Sequence, residues 1–205
     1  MNKIYLAISS FFLMVAFFSP AISAEFLSKS VVDGKIVLLY SDNTWEYEDK
    51  GIKASNGCVI LSKTIKFCDN KGDWKATKGQ PDHLAAYVFD SKNYGVIIEE
   101  NLGSSDGVTL ETMRAVVISN VESLSGVTKD DIVIVSVENV TLFDQDAVNM
   151  VYMVTYKGLK FFYSNTILVL PNDTYQLLTY LIGKKFTEND KKLHDQFVGL
   201  ISVTP

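Results

Sequence analysis

The alternation of apolar and polar positions is clearest between residues 148 and 182. This stretch contains three apolar runs, which are separated by Lys157-Gly158 and by Pro171-Asn172-Asp173. β-branched and aromatic residues dominate the runs, and the two breaks consist of residues that favour turns. The pattern predicts an antiparallel meander of three strands that packs one face on a core.

Two segments with helical spacing interrupt this strand-rich chain. The spacing of Leu110, Met113 and Val117 predicts a helix over residues 109–123. A second helix is predicted to begin near Thr187, where acidic residues occupy the first turn. The predicted inward stripe of this last helix consists of Leu193, Phe197, Leu200 and Ile201.

Further strands are predicted at residues 35–40, 44–47, 84–89, 94–99 and 132–142. Runs of strands are thus interrupted by single helices, and there are too few helices for successive β-α-β crossovers. The predicted fold class is α+β, with helices packed on an antiparallel sheet and a small three-stranded β-meander in front of it.

The first 24 residues have the pattern of an export signal. Lys3 precedes an apolar run over residues 4–18, and Ser19-Pro20 leads into small residues that end at Ala24. The run is shorter than the roughly 20 residues that span a bilayer, which favours a cleaved signal over a retained anchor. We expect a periplasmic or secreted protein with no membrane span after cleavage.

The remaining chain divides into three predicted parts. Residues 25–49 form the N-terminal β-meander, residues 50–57 a polar linker, and residues 58–205 the α+β sandwich. The meander carries the spacing DGxxVxLxxDxTWxY, which resembles a pattern in small exported bacterial proteins of unknown function. The residues that carry this resemblance are Asp33, Gly34, Val37, Leu39, Asp42, Thr44, Trp45 and Tyr47.

From about Cys58 onward, the order of elements is similar to the Mog1/PsbP-like α/β sandwich. The most similar part is the end of the chain: a strand with Phe161, Phe162 and Tyr163, a further strand, a polar turn and an amphipathic helix. Members of that group mostly act as accessory or binding proteins, and the resemblance implies the same role here. It transfers no functional residue.

Charge and cysteine content restrict the classes of partner. The net charge is −5, and Arg114 is the only arginine. A mildly acidic chain without a basic cluster has no electrostatic footprint for nucleic acid. Cys58 and Cys68 are the only cysteines, and in an exported chain this short spacing predicts a structural disulfide rather than a redox-active pair.

Residues suited to catalysis or metal binding are scarce. His83 and His194 are the only histidines, and each is predicted to lie in a loop or on a helix face without a catalytic role. The spacings typical of zinc, calcium and phosphate sites are absent from the sequence, so no metal or cofactor is predicted. The chain is therefore predicted not to be an enzyme.

Aromatic side chains are the best candidates for recognition. Most are predicted to pack in the core, but Trp74, Tyr94 and Tyr163 are a candidate binding surface, and Trp74 is predicted to be exposed because its loop is polar. The favoured hypothesis is a non-enzymatic envelope protein that binds an unidentified protein or small ligand. The alternatives are a hydrolase with an inconspicuous Ser/His/Asp site and an envelope assembly factor that acts by strand-edge pairing.

Overall fold

The computed structural model describes residues 26–32, 35–41, 43–47, 52–53 and 58–203. These residues form two α-helices, α1 (Leu110–Glu122) and α2 (Glu188–Gly199), and fourteen strands. The first seven strands are β1 (Phe26–Val32), β2 (Lys35–Tyr40), β3 (Trp45–Tyr47), β4 (Ile52–Lys53), β5 (Cys58–Ile60), β6 (Ile65–Cys68) and β7 (Lys75–Thr77). The others are β8 (Ala85–Val88), β9 (Asn93–Glu100), β10 (Ile132–Leu142), β11 (Gln145–Tyr156), β12 (Leu159–Val169), β13 (Thr174–Ile182) and β14 (Ile201–Val203).

The largest sheet is antiparallel and has the order β10-β11-β12-β13-β9-β8-β7. Its centre is the predicted meander of β11, β12 and β13, whose turns lie at Lys157-Gly158 and around Pro171. Lys157 and Gly158 both have positive φ angles, as a tight two-residue hairpin turn requires. The predicted α+β fold class is confirmed.

The two faces of this sheet carry separate cores, because successive strand residues point to opposite sides. On the α1 face, Met113 and Val117 pack against side chains from β11 and β12 such as Met150 and Ile167. On the α2 face, Phe197 packs with Leu177 and other residues of a second cluster. Each face of the sheet therefore packs against one helix.

A second sheet, in the order β14-β6-β5-β4, closes the α2 side. Its β5–β6 hairpin pairs Cys58 directly with Cys68, and the two cysteines form the predicted disulfide. Phe67 from β6 stacks on Tyr87 of β8 at 4.1 Å between ring centroids, which joins the two sheets across the core. The disulfide prediction is confirmed.

Three sequence predictions differ from the structure or lie beyond it. The last helix ends at Gly199, so Ile201 belongs to β14 and not to the helix stripe. Ile52 and Lys53, within the predicted linker, pair with β5 as a short strand. The β1-β2-β3 sheet is present, but the export signal, its Ala24 boundary and three residues of the N-terminal pattern, Asp33, Gly34 and Asp42, lie outside the described residues.

Candidate functional site

Trp74 is a core residue, and the prediction of its exposure is wrong. Only 4% of the residue is exposed, and its ring lies 4.6 Å from Phe197 and 5.2 Å from Phe89 between centroids. The carboxylate of Asp69 accepts a hydrogen bond from the Trp74 backbone N–H at 2.7 Å. This anchored loop turns the indole inward while its lysine and aspartate neighbours stay in solvent. The polar sequence of the loop therefore does not indicate that Trp74 itself is buried.

Tyr94 and Tyr163 come together in a row of four tyrosines on the α1 face. Tyr180 lies between them, at 4.9 Å from Tyr94 and 5.5 Å from Tyr163, and Tyr152 stacks on the other side of Tyr163 at 4.9 Å. Each pair is directly opposite across neighbouring strands. Such cross-strand aromatic pairs stabilise the sheet and fix its register.

The tyrosine row is poorly suited to stack a ligand on its rings. In two of its three pairs, the ring planes are within 13° of parallel. The ring faces therefore cover one another, and only the ring edges and hydroxyl groups are left for contact with a ligand. Burial, with a smaller contribution from Tyr180, raises the pKa of Tyr163 to about 12. Tyr163 is therefore neutral at physiological pH, and the role of Tyr94 and Tyr163 as a binding surface stays a prediction.

His194 is the centre of a buried polar cluster that the sequence did not reveal. The residue is 2% exposed, and its Nε2 lies 2.8 Å from Thr166 Oγ1 and 3.1 Å from Asn149 Nδ2. Its Nδ1 lies 2.9 Å from Thr179 Oγ1. The Asn149 amide nitrogen can only donate, and the hydroxyl groups of Ser164 and Thr166 also lie within hydrogen-bond distance of it.

This cluster keeps the imidazole neutral. Burial lowers the pKa of His194 to about 4; Asp195 opposes the shift, and Lys191 adds to it. The three side chains that contact the ring are uncharged, and Thr166 and Thr179 are themselves buried. The sequence predicts His194 on a helix face without a catalytic role. A sequence signal for its burial is the presence of Phe197 and Val198, which follow it at helical spacings of three and four and are also buried.

His83 lies in a different setting, in the loop before β8. Its Nδ1 accepts a hydrogen bond from the Gln80 backbone N–H at 3.1 Å, and its Nε2 lies 3.8 Å from the Asp82 carboxylate. Partial burial lowers its pKa, against the opposing effect of Asp82. The adjacent cavity, which Tyr94 also lines, measures about 80 Å³, well below the ~300 Å³ at which ligand pockets begin.

The most exposed apolar feature of the sheet is its edge strand β10. In the part of the chain that the structure describes, β10 pairs with β11 alone and runs for 11 residues. Its exposed aliphatic side chains are Val133 (47%), Ile134 (46%), Val135 (51%) and Val137 (41%). A long apolar edge of this kind offers unpaired backbone N–H and C=O groups to another strand.

The register of β10 locates the regular part of this edge. The pairing with β11 shifts between Ile134 and Ser136, which is a β-bulge at Val135, and then continues without interruption to Leu142. Bulges bend an edge and limit indiscriminate pairing. The segment from Ser136 to Leu142 is therefore the part of the edge that an additional strand could extend.

The opposite edge of the same sheet is protected in a different way. β7 has three residues, begins with Lys75 and is followed by Lys78. Short length and lysine are common devices that keep an edge strand from pairing with other chains. The two edges are thus unequal, and β10 is the one open to pairing.

A cleft of about 340 Å³ lies beside the regular part of the β10 edge, on the α2 face. Its floor comes from β10 and β11, where Glu138 is directly opposite Asn149 and Ser136 is opposite Val151. The beginning of α2 forms the other wall. The lining residues are Ser136, Glu138, Asn149, Val151, Phe186, Thr187, Glu188 and Lys191.

The beginning of α2, which forms one wall of the cleft, is capped by hydrogen bonds. The Asp190 carboxylate accepts hydrogen bonds from the Thr187 backbone N–H at 2.7 Å and from the Thr187 hydroxyl at 2.5 Å. Asn149, on the floor, is held by Ser164 and Thr166 behind it. The buried cluster around His194 thus positions a residue that faces the cleft.

Among the described residues, no three His, Cys, Asp or Glu side chains are grouped so that they could hold a metal ion. None of the helices in the described ranges is long and apolar enough to cross a membrane.

No family model and no curated protein matches this sequence. Solved structures similar to this chain include a protein from Bacteroides thetaiotaomicron (9% identity, 74% of this chain and 50% of that chain, TM-score 0.49). They also include a cyanobacterial PsbP from Synechocystis sp. PCC 6803 (12% identity, 76% and 92%, TM-score 0.48). A third is LpqN of Mycobacterium tuberculosis, described as involved in cell envelope biogenesis (13% identity, 69% and 83%, TM-score 0.45). This chain spans half the length of the Bacteroides chain.

Proposed function

We propose that this protein is a non-enzymatic binding protein of an extracytoplasmic compartment, which pairs the free edge of β10 with an extended segment of another polypeptide. The observation that carries the proposal is that β10, among the described residues, pairs with β11 on one side only and leaves its other edge open beside exposed aliphatic side chains such as Val137. In β-strand addition, hydrogen bonds between backbones supply affinity, and pockets for alternate side chains supply specificity. The cleft beside β10 is in the position of such a pocket.

The disulfide and the N-terminal sequence support the extracytoplasmic location. Cys58 and Cys68 are bonded to each other, and disulfides persist in oxidising compartments outside the cytoplasm. The export signal predicted for residues 1–24 agrees with that location.

The setting of His194 supports recognition over hydrolysis. A hydrolase would need a nucleophilic hydroxyl that a substrate can reach, with a base that is oriented by an acid. The hydroxyls that contact His194 are buried below the cleft, and the contacts of its ring are with neutral side chains. The contacts of His194 therefore position Asn149 and join α2 to the sheet, and they do not prepare a group for reaction.

The proposal is tested with a synthetic peptide of about nine residues that alternates valine and threonine, the length of a typical strand. We expect it to bind, and we expect the same peptide with N-methyl groups on alternate amides not to bind, since it cannot donate hydrogen bonds to an edge. Titration followed by amide chemical shifts would locate the contact. Binding that survives N-methylation would contradict the proposal.

Two matched variants localise the effect on the protein. Val137 on β10 is 41% exposed and Val116 on α1 is 40% exposed, so a lysine at either site leaves the core intact. We expect Val137→Lys to weaken binding of the unmodified peptide, because lysine on an edge strand opposes pairing, and Val116→Lys to leave it unchanged. Equal effects of the two variants would contradict the location of the site.

A further inference from the structure

We infer that the partner segment carries a lysine or arginine side chain, which enters the cleft between β10 and the beginning of α2. This inference rests on the proposed edge pairing and adds the chemical identity of one side chain. It follows from the direction in which the side chains of an added strand would point, from the charges around the cleft and from the composition of β10.

A strand that extends the sheet at β10 has its side chains in register with those of β10. Ser136 and Glu138 lie on the α2 face, as their partners Val151 and Asn149 do, and all four line the cleft. The residue of the added strand that is opposite Ser136 or Glu138 points to the same face, with its Cβ about 5 Å away. Its side chain therefore enters the cleft.

The charges around the cleft favour a cation. Glu138 on the floor and Glu188 at the beginning of α2 are the two acidic residues of the lining. Lys191, the one basic residue of the lining, forms an ion pair with Asp195 at 3.2 Å on its own helix. Neither glutamate forms an ion pair among the described residues, so a guanidinium or ammonium group of the partner would meet two available carboxylates.

The charge of β10 disfavours a second copy of this chain as the occupant. Residues 132–142 contain one charged residue, Glu138, and neither lysine nor arginine. Antiparallel pairing of β10 with its own copy would bring another carboxylate toward the cleft, where like charges repel. The partner is therefore a different polypeptide with a basic residue in an otherwise apolar or neutral strand.

The test uses the valine–threonine peptide with one central residue changed to lysine, norleucine or glutamate. We expect the lysine peptide to bind about tenfold more tightly than the norleucine peptide, and the glutamate peptide to bind most weakly. Glu138→Gln combined with Glu188→Gln should remove the preference for lysine, whereas Glu111→Gln, an exposed residue of α1, should retain it. Increasing salt should reduce the preference in the native chain.

The outcomes separate this inference from the proposed function. If all three peptides bind β10 with equal affinity, or if the double variant keeps the preference, the inference is overturned while edge pairing stands. If no peptide binds, the proposed function fails as well. A concentration-dependent dimer that Val137→Lys abolishes and Val116→Lys preserves would identify a second copy as the occupant and would also overturn the inference.

Discussion

At the scale of single residues, His194 connects stability to the candidate site. Its ring lies beneath Asn149, which forms part of the cleft floor, and it accepts and donates hydrogen bonds as a neutral imidazole. Protonation would place a charge in the core and an N–H on both ring nitrogens, so that Nε2 would face the Asn149 amide, which can only donate. Protonation of His194 therefore opposes its contact with Asn149.

The stability of the fold should depend on pH through this residue. The pKa of His194 is lowered from 6.5 to about 4, so between these values the unfolded chain binds a proton that the folded chain does not. The His194 contribution to stability is thus complete above pH 6.5 and is lost as the pH falls toward 4, by roughly 3 kcal/mol. Urea titrations over this range measure it.

His194→Gln should flatten that dependence, and His83→Asn should change it less because His83 is only partly buried. An equal pH dependence of the native chain and His194→Gln would contradict the assignment.

Gly95 provides a second prediction at this scale. A Cβ atom at this position would lie 2.5 Å from the Phe197 ring, which is completely buried. We expect Gly95→Ala to destabilise the fold by about 1–3 kcal/mol through overpacking. Gly199 is the control, because a Cβ there meets nothing within 4 Å, and Gly199→Ala should be neutral or slightly stabilising. Equal thermal shifts for the two variants would contradict the packing of α2 on β9.

Individual burial was the least predictable property at this scale. The disulfide followed from the pair count and spacing of Cys58 and Cys68, because an exported chain with two cysteines offers one pairing. The burial of Trp74 depends on Phe197, which is distant from it in sequence. The burial of His194 depends on contacts with side chains of the sheet, those of Asn149, Thr166 and Thr179. Local polarity does not report contacts of that kind.

At the scale of elements, the β5–β6 hairpin is short and depends on its covalent link. Its two strands have three and four residues, and an isolated hairpin of this size is marginal. The hairpin nevertheless carries Ile65 and Phe67, which are buried in the core of the α2 face. The disulfide therefore stabilises a segment on which that core depends.

Reduction should destabilise the protein measurably. Cys58 and Cys68 are separated by 10 positions, and closing a loop of this length contributes about 2–3 kcal/mol in the chain-entropy model. We expect thiol reductant to lower the melting temperature of the native chain. The Cys58→Ser/Cys68→Ser variant should melt at the lower temperature with or without reductant. A native melting temperature that does not respond to complete reduction would exclude a stabilising role.

The positions of most strands and helices along the chain are predictable from the sequence, but the elements that pack beside each of them are not. The apolar residues of β10 and the turns around β11, β12 and β13 are local signals, and the predicted strands occur at these positions. The edge position of β10 results from pairing across the whole sheet. The cleft requires Glu138 and Glu188, which are 50 positions apart in sequence, and no periodic pattern predicts that proximity.

At the scale of the whole molecule, the sheet has one protected edge and one open edge. The edge at β7 is short and has lysines nearby, whereas β10 is long, aliphatic and adjacent to the cleft. Residues of β10 pack against both cores, Val140 and Leu142 on one side of the sheet and Ile132 on the other. A preformed edge loses little conformational entropy when it binds a partner strand.

Amide hydrogen exchange of the full chain, with and without the central-lysine peptide, tests the central claim most directly. If β10 is the pairing edge, its outward-facing amides from Ser136 to Leu142 should exchange more slowly with the peptide, because they gain hydrogen bonds to its backbone. Exchange in α1 and in β7 should be unchanged. Bound peptide that leaves β10 exchange unaltered, or that protects β7 instead, would contradict this account.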